Sequence, residues 1–208
     1  MKRLNIAERN RNGKSLALAA GAIFLLCSYG RAATIVTLEQ AGSDVVATAS
    51  GSIDLTGLTF QYSSSGGAND VVASQATIAF KNGGTIDVYS GITGPSSFGS
   101  GSITFAASQT GDVFGVIGYM NDIQLPGGYV SGAGLSSTLT WDNTTLAALG
   151  VTPGTYTWTW GSGDHADSVT LYAGVTPPTE APEPGSVLLL SAGFAGFAGL
   201  TLRKHRRA

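Results

Sequence analysis

The stretch GSGDHAD, residues 161–167, holds His165, and His205 in the basic C-terminal tail is the chain's other histidine. An imidazole beside a serine and an aspartate is the machinery of acyl transfer. Serine and aspartate are plentiful here, but no G-x-S-x-G elbow holds a nucleophile. The glycines around His165 mark a turn open to water. An exposed loop histidine is therefore the expectation, and a secreted hydrolase using His165 is the alternative. Asp164, His165 and Asp167 offer oxygens and an imidazole to a cation such as calcium. The alternating aspartates, central glycine and closing glutamate of a calcium loop are absent, so these acids read as turn formers. No metal and no other cofactor is expected. GSGDHA fits a G-x-G-x-x-A phosphate loop, yet it precedes a strand rather than a helix N-terminus and is rejected. Glycoside hydrolysis would need two carboxyls about 5–10 Å apart. Asp54 and Asp87 are strand acids that the sequence cannot pair. Tyr129, Tyr156, Trp158, Trp160 and Tyr172 could stack on sugar rings. Trp158, Trp160 and Tyr129 are the candidate platform, with core packing as the competing use.

The elements that would position these residues are short strands. Segments 34–40, 44–50, 52–60, 74–80, 84–90, 101–108, 112–119, 136–141, 154–160 and 167–174 are rich in β-branched residues and separated by Gly, Asn, Ser and Asp. In TYTWTW, Tyr156, Trp158 and Trp160 alternate with Thr155, Thr157 and Thr159, giving an aromatic inner face and a wet hydroxyl face. Val169 and Leu171 alternate with Ser168, Thr170 and Tyr172, so 154–160 and 167–174 read as a hairpin. Only NTTLAALG, 143–150, reads as helical, capped by Asp142 or Asn143 and stopped at Gly150. The expected fold is all-β, an antiparallel β-sandwich with the jelly roll as one arrangement of it. Threonine faces can also order water, but ice binding needs a flat, regular array that these uneven segments do not suggest.

Charge is segregated along the chain. Six of the eleven Lys and Arg lie in the first 31 residues and four in the last six, leaving Lys81 alone among ten acids from 34 to 176. Such a middle has nothing to neutralise phosphates with, which argues against nucleic acid as a partner. The single cysteine, Cys27, lies inside an expected leader: basic MKRLNIAERNRNGK, apolar SLALAAGAIFLLC, then small residues before a cut between Ala32 and Ala33. Residues 1–32 thus read as a signal peptide for the Sec machinery and signal peptidase. Leu26 before Cys27 argues against a lipoprotein. Cleavage would leave a cysteine-free chain with no disulfide or thiolate.

Residues 185–202, GSVLLLSAGFAGFAGLTL, are eighteen without a charge. As a helix they would extend about 27 Å, enough to span a bilayer core. Arg203, Lys204, Arg206 and Arg207 follow and would stay cytoplasmic, while the signal peptide exports everything before the span. TPPTEAPEP, 176–184, is an extended, proline-stiffened linker.

Pro182-Glu183-Pro184, the glycine-rich span and the arginine-rich tail together resemble the PEP-CTERM sorting signal of Gram-negative bacteria. Ala181 stands where valine is common in that family. TPGTYTWTWGSGDHADSVTL is also similar to a recurring passenger type of such proteins. The resemblance implies recognition of residues 182–207 by a membrane-embedded exosortase, processing near the motif, and delivery to the cell surface or exopolysaccharide matrix. The organisation expected is a signal peptide (1–32), a β-sandwich passenger (33–176), and a linker with sorting signal (177–208). In the sorting signal the motif is 182–184, the transmembrane helix 185–202 and the basic tail 203–207. The expected function is that of a non-enzymatic exported protein. Its partners would be the export machinery, exosortase, the membrane before processing, and exopolysaccharide if it is lectin-like.

Overall fold

A computed structural model describes residues 33–81 and 83–178. The expected signal peptide, its cleavage position at Ala32, the sorting motif, the apolar span and the basic tail lie outside the described residues. Among those described, no helix is long and apolar enough to cross a membrane.

Thirteen strands form the described chain. They are β1 (Ala33–Ala41), β2 (Asp44–Ser52), β3 (Thr59–Ser65), β4 (Asp70–Val72), β5 (Thr77–Phe80), β6 (Thr85–Ser90) and β7 (Thr104–Phe105), then β8 (Ser108–Gly111), β9 (Phe114–Ile117), β10 (Asp122–Pro126), β11 (Gly134–Trp141), β12 (Gly154–Trp160) and β13 (Asp167–Ala173). The first sheet runs β12-β13-β1-β2-β11-β8 and the second β3-β6-β10-β9-β5-β4-β7. The all-β expectation holds. One main apolar cluster takes Val36, Leu38, Leu139, Trp158 and Leu171 from the first sheet and Ile78, Phe80, Phe114, Ile123 and Leu125 from the second. Alternation explains the inward faces: in β12, Trp158 and Trp160 are buried while Thr155, Thr157 and Thr159 are exposed. The β12–β13 hairpin stands as expected, with Thr157 opposite Thr170.

Four local expectations need correction. The sheets are not wholly antiparallel, because β1 and β13 pair in parallel, Val36 beside Leu171. Segment 52–60 is no single strand. The chain leaves β2 at Ser52, turns with Leu58 N bonded to Leu55 O (3.0 Å), and re-enters the other sheet as β3. Segment 101–108 contributes only the two-residue β7 and the first residue of β8. Residues 143–150 form turns, not a two-turn helix. Thr145 Oγ1, rather than Asp142 or Asn143, caps Ala148 N at 3.1 Å. Leu149 N reaches Thr145 O and Val151 N reaches Leu146 O, both at 3.0 Å. Gly150 closes the turn at φ +63°, the stop its sequence position suggests. Its carbonyl accepts from Ser100 and Gly101, so the loop is held by tertiary bonds that a longer helix would forfeit.

The second sheet contains two like-built hairpins. β4 passes through a 3-10 turn at Ala73–Gln75 into β5, with Ala76 at φ 47°. β9 passes through Gly118–Met120 into β10, with Asn121 at φ 61°. VVASQATI and VIGYMNDI share the pattern, and β5 pairs with β9 between them.

Candidate functional site

His165 and Asp54 meet, although 111 residues separate them: His165 Nδ1 lies 2.8 Å from Asp54 Oδ2. Asp54 sits in the loop after β2, not in a strand. The histidine belongs to a 3-10 turn, Gly163–His165, at the tip of the β12–β13 hairpin. Its side chain is 59% exposed, as an open turn implies. Asp54 Oδ1 accepts from Thr56 N (2.8 Å) and from Ser131 Oγ (3.2 Å). The Thr56 amide first, and then the imidazole, holds the Asp54 carboxyl well below the usual carboxylate range.

Serine, histidine and aspartate therefore come together, but not as a triad. In a triad the imidazole bridges the hydroxyl and the carboxylate. Here the carboxylate is the bridge, and Ser131 Oγ also accepts from Leu55 N at 2.9 Å. The hydroxyl proton points at Asp54, so the geometry supplies no activated nucleophile.

The surrounding bonds define a clasp. Asp167, buried at the start of β13, accepts Asp54 N on one oxygen (2.7 Å) and Ser168 N on the other (2.7 Å). Burial still pushes its carboxyl up, with the Asp54 charge adding to the effect. Trp160 Nε1 donates to Asp54 O at 2.7 Å. Tyr129 Oη accepts Ile53 N at 2.9 Å and donates to Ala133 O. Burial also raises the Tyr129 phenol above its ordinary value. Residues 53–56, the 129–133 loop and the hairpin tip are thereby locked together.

The proposed sugar platform is corrected by these bonds. Trp158 is fully buried and Trp160 nearly so. Trp158 Nε1 donates to Pro95 O at 2.9 Å. Tyr129 is partly buried against the core, its hydroxyl engaged on both sides. Three aromatic side chains that could stack on a ligand are instead packing and bonding inside the domain.

Asp87 has a separate partner set, which leaves the pair Asp54 and Asp87 without shared contacts. Its oxygens accept from Ser63 Oγ (2.5 Å) and Gly128 N (2.7 Å). Among the described residues no three His, Cys, Asp or Glu side chains converge as a metal site.

The outer face of the first sheet carries rows of hydroxyl side chains. Strand registers place Thr155, Tyr172, Thr37, Thr48, Thr138 and Thr110 side by side, one from each of six strands. At about 4.8 Å per strand this hydroxyl row runs roughly 24 Å. Thr37 and Thr48 are hydrogen-bonded across it at 2.7 Å. The neighbouring row is Thr157, Thr170, Ile35, Ser50 and Ser136, with Thr157 and Thr170 bonded at 3.1 Å. One row thus aligns five threonines with Tyr172 among them, while Ile35 interrupts the next. T-x-T alternation marks only β11 and β12; the registers align them with one hydroxyl residue from each of the other four strands. Comparison of the chain with protein-family models, curated proteins and solved structures finds no match.

Proposed function

We propose that this is an exported, non-enzymatic protein of the cell surface or exopolysaccharide matrix. Its two sheets act as the layers of a β-sandwich passenger, and a C-terminal PEP-CTERM signal delivers it. Two cation-flanked apolar ends around an acidic middle support export and sorting. The observation that carries the non-enzymatic half is the clasp. Asp54 and Asp167 both accept backbone amides, and Ser131 gives its proton to a carboxylate. These groups tie loops together and have no free role in proton transfer. Intact mass of the protein from a host with an exosortase is expected to show loss of residues beyond the motif at 182–184. A host lacking the exosortase should retain them. Identical masses in the two hosts would sink the sorting claim.

A second reading, polysaccharide binding, moves from the indoles to the hydroxyl row. Uncharged threonines flanking Tyr172 suit an extended, hydroxylated polymer, which hydrogen bonds of this type can hold without charge pairing. Thr48→Lys puts a long cation in the middle of the row. On a glycan array, retention of the unmodified protein is expected to fall to background in this variant. Unchanged retention counts against the face as the binding surface, and no retention by either protein counts against the reading itself. Ice binding is the less supported use of the same surface, because Ile35 breaks the second row.

A further inference from the structure

We propose that the outer face of the second sheet is a cradle for the chain's own apolar segment, residues 185–202. The face follows from register. Ile123 and Leu125 of β10 point into the shared core, so their neighbours Gln124 and Pro126 point away, beside Val88 and Ile86 of β6. The same parity carries Ile117, Ala79 and Val72 to this side. These side chains form an apolar outer surface where a two-layer β-protein ordinarily places polar ones.

The middle of that surface is closed to water. Ile86 and Val88 are each 2% exposed and Ala79 1%. Ile86, Val88 and Val113 form a small cluster of their own, apart from the main core. Asp70 Oδ1 and Gln124 Oε1 are sealed on this face with no hydrogen-bond partner among the described residues. Loss of water pushes the carboxyls of Asp70 and Asp122, on the same side, above their ordinary value. Every described strand belongs to one of the two sheets, and the first sheet lies on the opposite face. No described strand lies over this face, which leaves room for a cover supplied by residues outside those described.

A longer tether and the expected removal of the leader favour the C-terminal segment. From Gly174, which still bonds Leu38 O, to Pro184 there are eleven residues. Extended, they cover about 34 Å, against roughly 10 Å between packed sheets. The leader has only residues 28–32 between its apolar run and β1, about 16 Å, and is expected to be cut away. The fit is also sound in size and charge. Eighteen uncharged residues as a helix measure about 27 Å. The five strands from β6 to β4 span about 19 Å between their centres. The basic tail that follows matches a face bearing Asp70 and Asp122 and a domain with one lysine. Tyr62 and Phe105, at the two margins of the face, remain exposed and available as its rims. The segment then has two hosts, the bilayer and this sheet. The sheet would shield it in water before insertion.

The inference rests on reading 185–202 as an apolar helix and is independent of exosortase processing. The test uses the full chain with Cys27→Ser, which has no other cysteine, synthesised without lipid. Val88→Cys is combined in turn with Gly193→Cys, Phe194→Cys, Ala195→Cys and Gly196→Cys, so that one helical turn is sampled. Mild oxidation is expected to close an intramolecular disulfide in at least one pair, several-fold more than with Thr48→Cys on the other sheet. Added lipid vesicles should reduce it. Crosslinking no better than from Thr48→Cys overturns the proposal. So does preferential pairing of Val88→Cys with Leu26→Cys in the leader, or a disulfide between two copies.

Discussion

Trp158→Ala should destabilise the domain by about 3–5 kcal/mol, the usual cost of truncating a large core aromatic. Trp158 is the largest fully buried side chain. Its removal leaves a cavity between β12 and the second sheet. It also strands Pro95 O, which now accepts the indole N–H at 2.9 Å. A buried acceptor left unpaired costs about 1–3 kcal/mol, and part of this overlaps the cavity cost. Since domains of this size hold about 5–15 kcal/mol in total, the variant should melt roughly 10 °C or more below the parent. Urea unfolding followed by tryptophan fluorescence measures it. The same substitution separates packing from recognition: a sugar-stacking Trp158 would be lost with little change in stability. A shift in unfolding free energy below about 1 kcal/mol would refute the core assignment.

Gly118→Ala should be strongly damaging, although it adds a single methyl group near that indole. Gly118 opens the turn between β9 and β10 and donates its N–H to Ala76 O at 3.0 Å. A Cβ there would lie 2.6 Å from Ala76 Cβ, 2.6 Å from Pro95 O and 2.9 Å from Trp158 Nε1. None of these is the loose end of a flexible side chain, so backbone must move. Overpacking of this sort costs about 1–3 kcal/mol. Because the new methyl wedges into the Trp158–Pro95 bond, its effect should couple to Trp158→Ala. In a double-mutant cycle the pair should be less costly than the two single changes together by more than about 0.5 kcal/mol. Strict additivity would mean that the two hairpin turns and the indole do not share this contact.

The two substitutions mark what was legible at each level. That Trp158 faces with the aromatic set is legible in TYTWTW, because a strand turns successive side chains to opposite faces. That this set packs inside rather than stacking on a ligand is decided by the fold. Gly118 carries no comparable mark. VIGYMNDI reads as the end of one strand, and the tight approach of Ala76, Pro95 and Trp158 brings together two loops and the strand β12. Beyond Phe60, β3 is illegible in the sequence because all seven of its residues, TFQYSSS, are exposed, so no buried face imposes alternation. β10 was missed because Pro126 ends it within five residues, and a short strand holding a proline argues against itself.

The candidate sites divide in the same way. The turn at Gly163–His165 is written in its glycines, and so is the exposure of His165. Its bond to Asp54 is not, since nothing local relates residues 111 positions apart. The hydroxyl row has the same character: each strand supplies one hydroxyl side chain to it, and only the registers of six strands bring Thr155 and Thr110 into one line.

By itself the sequence determined the all-β class, the alternating faces of β12 and β13, the turn at Gly150, and the segregated charge that frames an acidic middle. These depend on period, backbone freedom and composition, which act over a few residues. Tertiary structure alone decided the parallel pairing of β1 with β13, the carboxylate-centred clasp and the buried second face of the other sheet. Those depend on which surfaces find cover across the whole chain, and strand alternation is silent about what lies on either side.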